Sequence, residues 1–588
     1  GAIKPQWALL GATFIAICSF LPLYLAPASV AEIVKPLFVV LAVSLGLSWI
    51  LALCQTTTFG NFILKEAVPG GAMKDPYDTK LYHKFEKFLT LLIKRRFVTL
   101  TTVFVTLVLS LVIMAVMPQS FFPKMNKPYF RADLVFPEGF SIHAVDQDVM
   151  KVEGYLKNHE KVKSYSVTLG GTPLRYYLAS SSFGPKSNYA NVMVETKDPE
   201  DAAEVEQQFY EHMTQNFPNI ITRSALFALS PVPEAAIEIG FIGENPDTLT
   251  ALVERAKKIA RQCDMVTDIR SNWGDKVPVW KPMFSQQKGL RLGITRQQVA
   301  NSFRTATNGL PLGEYREGDV SLPILLKDED VEKMNLNDVK SVPVFSTKGN
   351  SVKVEQVIDN FALGYDYNVV RRFNRERCMM MQCEPKRGAN TMAAFKQVLT
   401  AVQEQMQLPE GYKMKYFGEQ ETQDVSNAAL AKNIPLTFLL IYVVLLFLFP
   451  SNYRKPVLIM LMLPLVFIGV VWGLLLFGKS LDFFAILGLL GLIGMNIKNA
   501  IVLVDEIGLQ LKDGKGAVPA VVEATKTRIV PVTMASGTTI LGMLPLLGDA
   551  MFAGMAATIM GGLFVSTVLT IFVLPVTYCI FFKIRADR

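Results

Sequence analysis

Residues 494–506 read GMNIKNAIVLVDE and set Lys498, with Asn496 and Asn499 on either side, inside an apolar run that begins near Phe483. Seven residues separate Lys498 from Asp505, roughly 10 Å of helix at 1.5 Å per residue, and Phe483 lies about twice as far away. A lysine stem does not snorkel over that distance. The ammonium is therefore expected to face protein or water inside a membrane, at a cost of a few kcal/mol even on the most lenient scale. Charges in such places are usually paired and often lie on ion or proton pathways. The alternative is a structural lysine held by backbone carbonyls or a pocket water.

The rest of the chain agrees with a bilayer setting. Of 588 residues, 51% are hydrophobic, and the mean hydropathy is +0.30. Eight segments are long enough to cross about 30 Å of hydrocarbon: residues 7–26, 32–54, 97–117, 433–449, 456–477, 483–505, 528–547 and 555–582. The net charge of +8 is concentrated in short loops, among them Lys65 to Arg96, Arg454 with Lys455, Lys512 to Arg528, and the tail from Lys583. That pattern speaks for topology and against nucleic-acid binding. By the positive-inside rule the basic loops and both ends are cytoplasmic, and the long region 117–433 is outside. Residues 80–94, KLYHKFEKFLTLLIK, carry apolar side chains near helical spacing and predict an amphipathic helix on the inner membrane surface.

The external region repeats a strand-helix-strand grammar at 129–169, 191–217, 236–269 and 378–417. Four such units predict two α/β sandwiches, each a sheet covered by two helices. Asn245, Asp247 and Thr248 form an N-cap environment before the third helix, and Gly388, Asn390 and Thr391 open the fourth. Residues 277–365 break the grammar with Gly and Pro and are expected to form an insertion. Cys378 and Cys383 point to opposite faces of one strand, which leaves a bridge from Cys263 to either as the remaining pairing. Met379-Met380-Met381 alternate faces and are expected in a core rather than at a soft metal.

Among the spans, acidic residues occur only at the edges, namely Glu32, Asp482, Asp505, Glu506 and Asp549. Lys498 thus either titrates or finds its counter-ion elsewhere. Arg528 is positioned to reach the same polar track or to anchor its helix at the interface. Thr533, Ser536, Thr538 and Thr539 either carry water or bond back to helix carbonyls. Tyr165, Tyr176, Tyr177, Phe183 and Phe227 are candidate contacts for apolar ligands, the alternative being ordinary loop packing. No phosphate loop, nucleophile elbow or metal-ligand spacing occurs, and Leu21-Pro22-Leu23 echoes Leu544-Pro545-Leu546 as a weak internal repeat.

The stretch 494–506, Arg528-Ile-Val-Pro531 leading to Gly542-Met-Leu-Pro545, Phe121-Phe122-Pro123, and Pro137-Glu-Gly139-Phe-Ser141 resemble the resistance-nodulation-division transporters, in their hydrophobe and amphiphile efflux branch. The resemblance implies a polytopic α-helical membrane protein with a large periplasmic α+β region of ferredoxin-like porter subdomains and an inserted docking subdomain. It divides the chain into two spans (1–58), a cytoplasmic linker with the amphipathic helix (59–96), a third span (97–117), a first porter subdomain (118–232), a second (233–280 and 364–425), the docking insertion (281–363), and five spans (426–588). On this reading the chain is the fifth span onward of a twelve-span pump. The resemblance makes Lys498, Asn499 and Arg528 relay residues. Ala535 stands where the family usually has a threonine, so Thr533 or Ser536 is expected to substitute, and the relay's paired aspartates belong to a fourth span. The family implies a proton antiporter rather than an enzyme, with no cofactor beyond the proton gradient. It further implies a homotrimer in a Gram-negative inner membrane with an adaptor protein and an outer-membrane channel, exporting drugs, detergents or bile-salt-like molecules. A metal-ion pump of the same superfamily is the first rival, and a protein-translocation or sterol-sensing-type membrane protein the second.

Overall fold

The computed structural model describes residues 6–25, 29–63, 77, 79–119, 126–175, 185–227, 234–327, 338–346, 349–450 and 452–584. Among them eight helical segments are long and apolar enough to span a membrane. The first is α1 (Gln6–Ser19) with α2 (Leu21–Leu25), broken at Phe20 just before Pro22, which has no N–H to continue the ladder. Next come α3 (Ser29–Ile63), which runs past residue 58, the amphipathic α4 (Lys80–Lys94) and the spanning α5 (Arg96–Val116). On α4, Phe85, Leu89 and Ile93 recur every four residues, so one stripe is buried against the membrane helices.

The first external sandwich follows β1 (Tyr129–Val135), α6 (Ile142–Lys157), β2 (Val162–Leu169), β3 (Tyr189–Thr196), α7 (Ala202–Asn216) and β4 (Ile221–Leu226). Its antiparallel sheet has the order β2-β3-β1-β4. Phe130, Ala132 and Leu134 alternate inward on β1 and meet Val145, Val149, Val152 and Leu156 of α6 and Val205, Phe209 and Met213 of α7. Ser141 caps α6 by accepting from the Ala144 N–H at 3.3 Å.

The second sandwich opens with β5 (Ile237–Ile242), α8 (Pro246–Ala260) and β6 (Val266–Ser271). Between these and its remaining strands lies a separate compact unit, Trp273–Arg371. That unit holds β7 (Lys276–Phe284), α9 (Gln286–Leu292), α10 (Arg296–Ala306), the hairpin β8 (Leu310–Glu317) and β9 (Val320–Leu326), α11 (Asp338–Ser341), β10 (Pro343–Phe345), β11 (Ser351–Lys353) and β12 (Ile358–Tyr367). It is wider than 281–363 because β7 and β12 pair with each other as a two-stranded ribbon. Val299, Val342, Val344, Val354 and Val357 form its core.

The second sandwich resumes with β13 (Arg372–Phe373), β14 (Glu376–Pro385), α12 (Thr391–Gln405) and β15 (Lys413–Phe417). β15 and β14 flank β5, and β6 pairs with the outer edge of β14. The strand order is that of the first sheet, the ferredoxin-like arrangement. Asn245 and Asn390 cap α8 and α12, accepting from Asp247 N and Ala393 N at 2.9 and 3.0 Å.

The remaining spans are α13 (Gly418–Leu448), α14 (Arg454–Leu461) with α15 (Val466–Leu476), α16 (Phe483–Lys512), α17 (Ala517–Met543) and α18 (Ala553–Phe581). α13 and α17 begin 15 and 11 residues before the apolar segments at 433 and 528, because their first turns are polar helix continuous with the span. A 3₁₀ turn, Leu544–Gly548, ends α17 at Pro545. Thus both Leu-Pro-Leu motifs mark helix breaks. α15 and α18 touch main chain to main chain: a methyl group on Gly473 would stand 2.8 Å from Gly561 Cα and 2.7 Å from the Ala557 carbonyl oxygen. Gly469 and Gly473 make this a small-xxx-small contact.

Candidate functional site

α16, α17 and α18 meet at the polar segment quoted first. Asp482 caps α16 by accepting from Ala485 N at 2.7 Å, and Gly494 lets its middle approach α1, where an added methyl group would lie 2.8 Å from Ala16 Cα. Asn496 and Asn499 are three residues apart and share a face, which turns inward. The Ser566 hydroxyl of α18 donates to Asn496 Oδ1 at 2.8 Å. Asn499 Nδ2 donates to Ser536 Oγ of α17 at 3.5 Å, and the Ser536 and Thr567 hydroxyls share a 2.6 Å hydrogen bond. All five side chains are buried. The network satisfies polar groups that would otherwise be orphaned in an apolar bundle.

Lys498 points away from that network. It is exposed, on a stripe continued by Val502, Asp505 and Leu509, and among the described residues it has no hydrogen-bond or ion-pair partner. α17 beside it is also sparsely covered, with Pro531, Thr533, Met534 and Ala535 all exposed. The arrangement therefore presents a cation on an open helix face, braced from behind by two hydrogen-bonded asparagines.

Arg528 is not aimed at that lysine. Its Nε and Nη2 reach Glu506 Oε2 at 3.2 and 2.5 Å, and Gln510 Nε2 donates to the same carboxylate at 2.9 Å. Eight residues, roughly 12 Å of helix, separate Glu506 from Lys498, so Arg528 is seated at the end of the span. Of the hydroxyls, Ser536 joins the asparagines, Thr533 is exposed without a hydrogen bond among the described residues, and Thr538 and Thr539 bond back to carbonyls including Ala535 O at 3.0 Å. Ser566 and Thr567 were not singled out in the sequence, because hydroxyls in so apolar a helix read as back-bonders.

Of the external aromatics, Tyr165 packs half-buried against the first core. Phe227 stacks on Tyr129 with ring centroids 6.1 Å apart, and Tyr176, Tyr177 and Phe183 lie outside the described residues, as does Phe121-Phe122-Pro123. Met379 and Met381 are buried beneath the helices, with Met380 on the other face. Cys263, Cys378 and Cys383 are free thiols, so the pairing considered for Cys263 is not formed. Burial pushes the Cys378 and Cys383 thiols up to about 11 and about 12.

A charged junction was missed, because its members come from four separate stretches. Arg270 Nη2 donates to the Glu234 carbonyl at 2.9 Å and lies 3.4 Å from Glu384 Oε1, while Arg270 Nη1 pairs with Asp268. Arg223 of the first sandwich reaches the Glu234 carbonyl at 3.1 Å. Nearby, Gln382 Nε2 donates to Glu238 Oε1 at 2.8 Å, and burial pushes the Glu238 carboxyl up to about 7.

Eight apolar spans together with two ferredoxin-like sandwiches and an inserted unit define a polytopic membrane protein with a large α+β extramembrane region. The chain belongs to the AcrB/AcrD/AcrF family of resistance-nodulation-division transporters, whose model matches residues 3–582. It is similar to the nickel and cobalt resistance protein CnrA of Cupriavidus metallidurans, 27% identical over 59% of this chain and 33% of that protein. The multidrug export protein AcrF of Escherichia coli is 23% identical over 98% of this chain and 57% of its own length. The swarming motility protein SwrC of Bacillus subtilis is 22% identical over 99% and 55%. A crystal structure of a heavy metal efflux pump superposes with a TM-score of 0.77 at 18% identity, covering 97% of this chain and 57% of that one. The chain spans about half the length of the relatives it matches from end to end.

Proposed function

We propose that the chain is part of a proton-driven efflux pump for hydrophobic or amphiphilic compounds, the inner-membrane component of a tripartite assembly. The observation that carries this reading is Lys498, a cation in mid-span with no protein partner among the described residues, held in place by Asn496 and Asn499. A carboxylate that alternately binds a proton and pairs with Lys498 converts proton passage into helix movement, which the external sandwiches use to change access. Asn499 and Ser536 hold the lysine's helix against α17, and Arg528 with Glu506 fixes the end of the track. Thr533, on the uncovered surface of α17, is available to the same path. Phe227 and Tyr165, with Tyr176, Tyr177 and Phe183, are the proposed ligand contacts. A homotrimer joined to an adaptor and an outer-membrane channel in a Gram-negative bacterium is the proposed setting.

The test is ethidium and detergent export by cells expressing the gene that encodes this chain. Lys498→Ala is expected to abolish export at unchanged protein level, and retained export would overturn the relay. Metal ions are the runner-up cargo, favoured by the similarity to CnrA, a nickel and cobalt resistance protein. Among the described residues, no three His, Cys, Asp or Glu side chains converge to hold a metal. Nickel and cobalt tolerance, measured in the same cells, separates the two.

A further inference from the structure

We propose that α4 is a binding surface for anionic phospholipid headgroups. α4 is fastened to the membrane helices by its stripe Phe85, Leu89 and Ile93, with Phe85 and Phe88 against Phe572 of α18 at ring distances of 5.6 and 5.5 Å. The spanning helix α5 starts at Arg96, with only Arg95 between it and the end of α4, so the depth of α4 is fixed at the membrane boundary. At roughly 100° per residue, Leu81 and Phe88 stand about a quarter turn from the buried stripe, and they are 72% and 50% exposed. Lys80, Lys84, Lys87 and Lys94 stand further round, opposite the stripe, and all four are exposed.

These three arcs have different solvents. The buried arc faces protein, the exposed apolar arc faces acyl chains, and the lysine arc lies at the level of the phosphates. Lys80, Lys84, Lys87, Lys94, Arg95 and Arg96 have no ion-pair partner among the described residues, and Glu86 is the single acid in 80–96. Six cations against one carboxylate form a surface that repels itself in water and is neutralised by a layer of anionic headgroups. An open groove of about 440 Å³ along the same side is lined by His83, Glu86, Lys87, Thr90, Leu91 and Lys94. Its donors suit a phosphate diester, and the exposed Leu91 in its lining, with Leu81 and Phe88 on the other flank of α4, makes the bilayer, not a soluble anion, the occupant.

The test uses the full chain in vesicles of phosphatidylcholine or of phosphatidylcholine with phosphatidylglycerol, and brominated forms of each lipid as quenchers. Leu81→Trp reports on α4 after subtraction of the parent chain's fluorescence. Each basic residue at an anionic surface is worth about fivefold in association, so the reporter is expected to be quenched severalfold more strongly by brominated phosphatidylglycerol than by brominated phosphatidylcholine. That preference is expected to fall toward one in Lys84→Gln/Lys87→Gln/Lys94→Gln and, in the unaltered lysine background, in 0.5 M salt. Equal quenching by the two lipids would overturn the proposal. So would a preference that survives both the substitutions and the salt, or one abolished by millimolar inorganic phosphate.

Discussion

Arg387, in the turn after β14, lays both terminal nitrogens on the Glu206 carboxylate at 2.5 and 2.6 Å and so ties the second sandwich to α7 of the first. Ser224 of β4 hydrogen-bonds both partners, and the guanidinium covers the Tyr210 ring 4.2 Å from its centroid. Glu206 is 8% exposed on its side chain and Arg387 38%. Removing the arginine leaves a nearly buried carboxylate unpaired, so Arg387→Ala is expected to destabilise the external region by about 2 kcal/mol, reduced from the fully buried case by the arginine's exposure. Lysine cannot reproduce the fork, and Arg387→Lys should recover only part of the loss in thermal unfolding of the detergent-solubilised chain.

Asn496 and Ser566 form the other contact whose loss is readable as stability. Ser566→Ala removes the donor to Asn496 Oδ1 and is expected to cost about 1 kcal/mol, the modest value usual for hydrogen bonds between membrane helices. A double-mutant cycle with Asn496→Ala checks it: the combined loss should be smaller than the sum of the single losses. An additive result would show that the 2.8 Å contact contributes nothing to stability.

Gly473→Leu should separate α15 from α18, since even a methyl group there meets main-chain atoms. Overpacking of this kind costs about 1–3 kcal/mol. The prediction is a lowered melting temperature for Gly473→Leu, against little change for Gly537→Ala, where an added methyl group meets nothing within 4 Å.

Glu238 makes the external region sensitive to pH. The folded carboxyl titrates near 7 and the unfolded one near 4.5, so between those values the folded state holds more protons and stability falls as pH rises. Melting temperatures taken from pH 5 to pH 8 should decline through that window. Glu238→Gln, which keeps the amide contact to Gln382 within reach, is expected to flatten the decline and to raise the value at pH 8.

Much of the fold was legible because membrane spans and amphipathic helices are written locally, as with Lys80–Lys94 and the polar stretches around Asn245 and Asn390 that open α8 and α12. Lys498 was legible for the same reason: a charge in an apolar run stands out without any knowledge of its neighbours. The destination of Arg528 was not, because a carboxylate at a helix edge reads as an interface residue until the two helices are placed side by side. The junction of Arg223, Arg270, Asp268, Glu234 and Glu384 was equally hidden, since each member alone is an ordinary strand or turn polar residue. Helix starts at 418 and 517 escaped because hydropathy marks where a span is apolar, whereas the backbone remains helical through the polar turns before it.

The glycine contact between α15 and α18 has a mechanical meaning. Two helices whose main chains touch have no side-chain layer to shear, so they form one strut, and displacement of either carries the other along. α16 closes on α1 in the same way at Gly494 and on α18 at Gly488, so the freer seam is the one between α16 and α17, where Asn499 and Ser536 can re-form a hydrogen bond after a small shift. The helix bearing Lys498 is thereby coupled to the strut on one flank and freer on the flank that faces α17.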